Sequence, residues 1–150
     1  MTCYKTKNPY IDAYVSDVLD EKVLTNRWIK LACRMVLKSL NQPNIIIEHE
    51  KIETAIQLGE KFFYKLFPWQ KFVIALVHCY EKLDGITIPV WNRFDLIMGR
   101  GSGKNGFISF LIWYFTTPYH GIENYHVGLV ANSTDKAKRS FVDAFDVLAK

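Results

Sequence analysis

The feature that most constrains this chain is the run Asp95-Leu96-Ile97-Met98-Gly99-Arg100-Gly101-Ser102-Gly103-Lys104-Asn105-Gly106. A short apolar segment feeds three alternating glycines, a lysine follows the last of them, and an amphipathic segment continues over residues 107–115. That order predicts strand, glycine loop, helix. Glycine tolerates backbone angles that expose successive N–H groups, and N–H groups in such a concave turn bind anions. The positive end of the new helix acts at the same spot. Lys104 then sets a point charge where the β- and γ-phosphates of a nucleotide would lie. The reading is a nucleoside-triphosphate phosphate loop.

The loop departs from the strict pattern G-x-x-x-x-G-K-[ST] at both ends. Met98 stands at the first glycine, and Asn105 stands where a hydroxyl normally reaches magnesium. A carboxamide oxygen can still contact a hard cation, directly or through water. Two other readings compete. The glycines can be a plain turn joining a strand to a helix. Gly101-x-Gly103-x-x-Gly106 also fits the dinucleotide fingerprint, with Glu123 about twenty residues further on. In that fold, however, the acidic residue closes the second strand, whereas Glu123 precedes the apolar run 125–130. A lysine inside the glycine motif also suits a triphosphate better.

A hydrophobic content of 49% with 15% aromatics argues for a folded core and against disorder. The net charge of +4 permits a polyanionic partner without demanding one. Cys3, Cys33 and Cys79 lie far apart with no C-x-x-C pair, so neither a disulfide framework nor a zinc site is indicated. His49, His78, His120 and His126 show no ligand spacing. The longest apolar runs, 72–80 and 107–115, are too short to span a bilayer, and no signal-peptide segment opens the chain. A soluble intracellular protein is expected.

Helical periods occupy the first part of the chain. Asn8-Pro9 opens a helix with Ile11, Tyr14, Val15 and Val18 on one face. Thr25-Asn26 caps a second, with the stripe Trp28, Leu31, Ala32, Met35 and Val36. After the turn Asn41-Gln42-Pro43-Asn44, a third helix is expected from about Ile47 to Phe67, carrying Ile52, Ala55, Ile56, Phe62, Phe63 and Leu66. Residues 1–67 thus read as an N-terminal helical subdomain. Pro68 starts a further helix, and Gln70 in its first turn has the donor and acceptor that pair with an adenine edge. Trp69 or Phe67 could stack on a base.

From residue 68 onward the expectation is a nucleotide-binding α/β domain. Asp84-Gly85 is a turn; residues 86–91, 94–98 and 125–131 read as strands; Ser133-Thr134-Asp135 caps a last helix striped by Ala137, Phe141, Ala144, Phe145 and Leu148. Strand, helix, strand, helix implies a partial parallel sheet with right-handed crossovers.

These residues resemble a known family. The chain is similar to the N-terminal part of the large terminase subunit of tailed bacteriophages, the DNA-packaging ATPase. The resemblance rests on Asn8-Pro9-Tyr10-Ile11, on Trp28-Ile29-Lys30-Leu31-Ala32-Cys33 and on Pro68-Trp69-Gln70, which resembles the family's adenine-contacting motif. It rests most on Gly99-Arg100-Gly101-Ser102-Gly103-Lys104-Asn105, which resembles the family's deviant phosphate loop (Walker A), and on Gly128-Leu129-Val130-Ala131-Asn132-Ser133 with Ala137.

The family implies a P-loop ATPase that uses ATP and Mg2+. Lys104 would hold the phosphates, Arg100 would stabilise the transferring charge bidentately, and Asn105 would take the magnesium-ligand position. Gly99, Gly101, Ser102 and Gly103 would cradle the nucleotide, with Gln70 and Trp69 at the base. The implied partners are double-stranded viral DNA, the terminase small subunit, the portal and prohead, and further copies of the chain, in the host cytoplasm and away from membranes. The family's acidic Walker B strand and its nuclease domain have no counterpart here. The expectation is therefore the first part of a longer protein, inactive as an ATPase by itself.

Overall fold

The computed structural model describes residues 5–148, with all of their side chains except those of Lys136 and Leu148. The chain is a mixture of helices and strands, with helices dominating. In order these are α1 (Pro9–Leu19), α2 (Arg27–Leu40), β1 (Ile45–Ile47), α3 (His49–Phe62), α4 (Pro68–Val77), β2 (Cys79–Leu83), β3 (Ile86–Pro89), α5 (Lys104–Thr116), a short 3-10 turn (Pro118–His120) and α6 (Thr134–Leu148). No helix among the described residues is long and apolar enough to cross a membrane.

The contacts divide the chain into two units. One holds the chain up to Ile52 with Phe67–Phe94; the other holds Glu53–Leu66 with the chain from Asp95 onward. The division cuts α3 after its first turn.

The first unit is built as its sequence periods dictate. The Asn8 side chain caps α1, accepting from the N–H groups of Tyr10 and Ile11 at 3.1 Å each. Ile11, Val15 and Val18 are buried at helical spacing. Asn26 caps α2 in the same way, accepting from Trp28 and Ile29. The face that α2 buries is offset from the expected stripe: Cys33, Val36 and Leu40 go inward, while Trp28, Leu31, Ala32 and Met35 stay outside. Helix α4 is buried over most of its circumference, and the Phe72 ring stacks on that of Tyr14 with centroids 4.5 Å apart.

The sheet corrects the sequence expectation. It has three strands in the order β1-β2-β3, and both pairings are antiparallel. Asp84 and Gly85 both take positive φ, 49° and 84°. That is the primed two-residue turn that matches strand twist, and a two-residue connection can only fold a strand back antiparallel. Ile47, expected at the onset of a helix, pairs instead with Cys79, and Ile45 and Ile46, between the expected turn and helix, pair with Glu81 and Tyr80. Residues 94–98 and 125–131, expected as parallel neighbours, form no ladder. Parallel strands are stable only with both faces covered, and residues 125–131 lie almost wholly in solvent, with Val130 99% exposed. The segment 94–98 keeps a strand's alternation, half-buried at Phe94, Leu96 and Met98 and exposed at Asp95 and Ile97, but has no partner strand.

The second unit packs an aromatic core around α5. Phe107, Phe110, Trp113 and Tyr114 are buried, and the Phe63 ring meets those of Phe110 and Trp113 edge-on. Helix α3 stops at Phe62, and the N–H groups of Phe63 and Tyr64 both close onto the Gly59 carbonyl. Leu66, expected on that helix, is buried from the following coil. Helix α6 packs on α5. Of its expected stripe only Ala144 is fully buried; Phe141 and Phe145 are exposed and stack on each other, and the Leu148 side chain lies outside the described residues.

Candidate phosphate-binding site

The glycine run forms a compact loop at the start of α5. Gly101 and Gly103 take positive φ, 78° and 80°, which reverse the chain at little steric cost only for glycine. Gly103 is the N-cap residue, and Lys104 is the first residue of the helix. Ser102 Oγ donates to the Gly99 carbonyl at 2.9 Å and draws the loop into a ring. The loop surrounds an open cavity of about 470 Å³ lined entirely by residues 99–106.

Lys104 reaches back across this ring. Its Nζ donates to the carbonyl of Met98 at 2.7 Å and to that of Gly99 at 3.1 Å. Those carbonyls point toward the ammonium group. The first turn of α5, which no side chain caps, faces the same loop, and a helix start of this kind suits an anion. Met98, which breaks the strict glycine pattern, acts here through its backbone oxygen, so its side chain is not what the loop uses.

The structure brings Gly99, Arg100, Gly101, Ser102, Gly103, Lys104 and Asn105 together around one cavity. Arg100 and Asn105 are exposed at its edge. Trp69 and Gln70 belong to the first unit. Gln70 is fully buried at 0% exposure, and its Oε1 accepts from the Phe67 N–H at 2.8 Å. It closes the entry to α4, which Phe67 has no side-chain oxygen to cap. Trp69 is half-buried and Phe67 exposed.

Sequence reasoning missed Ser109. This buried hydroxyl lies 2.9 Å from the Asn105 carbonyl and 3.3 Å from Asp143 Oδ2. Asp143, on α6, is thereby held against α5 one turn beyond Asn105. The spacing of Asn105 and Ser109 by four residues on a helix was the available signal. Gly106, the third glycine of the dinucleotide fingerprint, faces Tyr64. Glu123 lies in an exposed turn rather than at the end of a strand.

The displaced titrations lie in the first unit. Burial pushes the Cys33 thiol up to about 11 and that of Cys79 up to about 12, so neither is a thiolate nucleophile at neutral pH. Cys3 lies outside the described residues. Among the described residues, no three His, Cys, Asp or Glu side chains come together to hold a metal ion. Compared with protein-family models, with curated proteins and with solved structures, the chain matches none of them.

Proposed function

We propose that the chain carries the ATP-binding part of a motor of the phage terminase large-subunit type, which hydrolyses ATP to drive double-stranded viral DNA into a prohead. The observation that carries the reading is the ring closed by Lys104 on the Met98 and Gly99 carbonyls at the start of α5. A plain connecting turn has no need of a lysine folded inward onto two backbone oxygens. A phosphate loop does, because the ammonium must stand beside the N–H groups that receive the phosphates.

Arg100 then lies free to swing over a transferring phosphoryl group, where a guanidinium spreads charge over two oxygens. Magnesium would arrive with the nucleotide, keep most of its waters, and meet the neutral oxygen of Asn105. When bound, it would neutralise charge on the phosphates. Gln70 enters this reading only as the buried residue that shapes the start of α4. The partners proposed with it are the terminase small subunit, the portal and other copies of the chain.

One observation favours a second reading, a nucleotide-binding or assembly module without turnover. The side chains of the loop itself, Arg100, Ser102, Lys104 and Asn105, are cationic or neutral. They supply phosphate binding but no carboxylate to position magnesium or water. Calorimetry with ATP on the wild type and on Lys104→Ala tests both readings. Losing a charge-assisted contact should cost about 1.5–3 kcal/mol, and equal affinities would remove the phosphate loop from either. Steady-state turnover with magnesium and DNA then separates motor from module.

A further inference from the structure

The exposed side of α2 carries two parallel ridges. Trp28, Leu31 and Met35 form one, at i, i+3 and i+7, with exposures of 62%, 45% and 61%. Arg27, Arg34 and Lys38 form the neighbouring one, at i, i+7 and i+11. The helix contains no acidic residue. Lys30, off this face, is held by Glu21. Among the described residues Arg27, Arg34 and Lys38 form no ion pair, and the Arg27 guanidinium lies over the Trp28 ring at 4.6 Å. At the helix's C-terminal end, Met35 and Lys38 line a cavity of about 490 Å³ that also touches Ile45, Val90 and Glu81, whose carboxylate accepts from the Asn44 side chain at 2.8 Å.

We infer that this face of α2 docks an acidic amphipathic helix from a partner protein. The inference stands apart from the phosphate loop. Apolar anchors spaced over two turns suit helix-on-helix seating, with the cavity beside Met35 receiving a partner side chain. The charge of the second ridge selects the partner's flank. A second copy of this chain is disfavoured, because a two-fold contact would set Arg27, Arg34 and Lys38 against themselves. A flat polyanion is disfavoured as well. The exposed leucine and methionine of the apolar ridge offer a lipid headgroup layer or a phosphate backbone no hydrogen bond, whereas they suit the apolar stripe of a helix.

The test is fluorescence anisotropy on the whole chain with a labelled peptide helix bearing leucines at i, i+3 and i+7 flanked by glutamates, and with its lysine-flanked counterpart. The glutamate peptide should bind and the lysine peptide should not. Leu31→Ser with Met35→Ser should weaken binding at least ~10-fold while leaving the thermal unfolding curve in place, since both positions are exposed. Arg34→Glu with Lys38→Glu should reverse the preference between the two peptides. Absence of binding, or indifference to the charge reversal, overturns the inference. So does binding of phosphatidylserine vesicles or duplex DNA through these residues in place of the peptide, or sedimentation as a dimer that the serine pair abolishes.

Discussion

Gly106 and Tyr64 approach so closely that a Cβ on the glycine would stand 2.9 Å from the tyrosine ring. The glycine that reads in sequence as a nucleotide-motif residue is therefore also a packing residue. Helix α5 meets the coil after α3 at a point with no room for a methyl group. Gly106→Ala sets two effects against each other. Gly106 lies in the first turn of α5, so helix propensity gains less than the about 1 kcal/mol of an interior position, while overpacking costs about 1–3 kcal/mol. The clash is with the edge of the half-buried Tyr64 ring, so the net expectation is a loss of about 1 kcal/mol. Urea unfolding of Gly106→Ala, alone and with Tyr64→Leu, checks this. The double variant should recover most of the loss, and a stabilised single variant would show that Tyr64 moves aside freely.

Gln70→Ala should lower stability by about 1–3 kcal/mol, because it leaves the Phe67 N–H without its acceptor and opens a void at a fully buried site. Gln70→Glu keeps the oxygen and should cost less at low pH than at neutral pH, where it would bury a charge. If Gln70→Ala unfolds at the wild-type urea concentration, the cap carries no weight. A change in ATP over GTP preference without a stability change would then mark the residue as a base reader.

The parts of the fold written in local chemistry were legible. Asn8 and Asn26 cap the helices expected of them, and Ile11, Val15 and Val18 bury the expected face of α1. Sheet pairing is where the expectation of a parallel sheet fails, and a signal for the antiparallel arrangement exists in the sequence. Asp84-Gly85 is more than a turn signal, because a D-G pair between β-forming runs specifies a hairpin. That hairpin needs residues 79–83 as its first strand. The triple isoleucine 45–47 is β-branched throughout and suits a strand more than a helix onset. The faces of α2 and α6 were misjudged because an apolar stripe reports which side can be buried, not whether anything covers it. Residues 99–106 line one cavity because glycine, lysine and the helix start act over a few consecutive residues. What the loop cannot encode locally is a neighbouring strand for residues 94–98, which depends on pairing across long sequence separation.

His78 makes stability depend on pH. Burial holds its pKa below the ordinary value of 6.5, partly opposed by the bond from ring Nδ1 to the Ile74 carbonyl at 2.9 Å. A histidine with a lowered folded pKa is neutral in the native state while the unfolded chain takes up a proton first. Its contribution is therefore full above about 6.5 and is lost as pH falls through the lower folded value. The thermal midpoint should drop between pH 7 and pH 5. The difference between the wild type and His78→Gln, which removes the titrating ring, should shrink over the same range. A difference that stays constant with pH would mean that His78 does not couple to folding.

Gly85 and Gly101 provide a matched pair for the phosphate loop. Both hold φ near +80°, at 84° and 78°, and a Cβ on either would meet nothing within 4 Å. Alanine at either place thus suffers only backbone strain, about 1–2 kcal/mol for a left-handed residue. The two substitutions should cost similar stability, because neither adds a clash. They should differ in ATP binding. At Gly85 the strain falls in the hairpin between β2 and β3, within the first unit. At Gly101 it falls in the ring that Lys104 closes, and relieving it would turn the loop's N–H groups out of alignment with the cavity. ATP affinity should fall at least ~10-fold for Gly101→Ala and stay within twofold or so for Gly85→Ala. Equal loss in both variants would trace the effect to general destabilisation. Wild-type affinity in Gly101→Ala would mean that the glycine loop is a connection between an extended segment and a helix and nothing more.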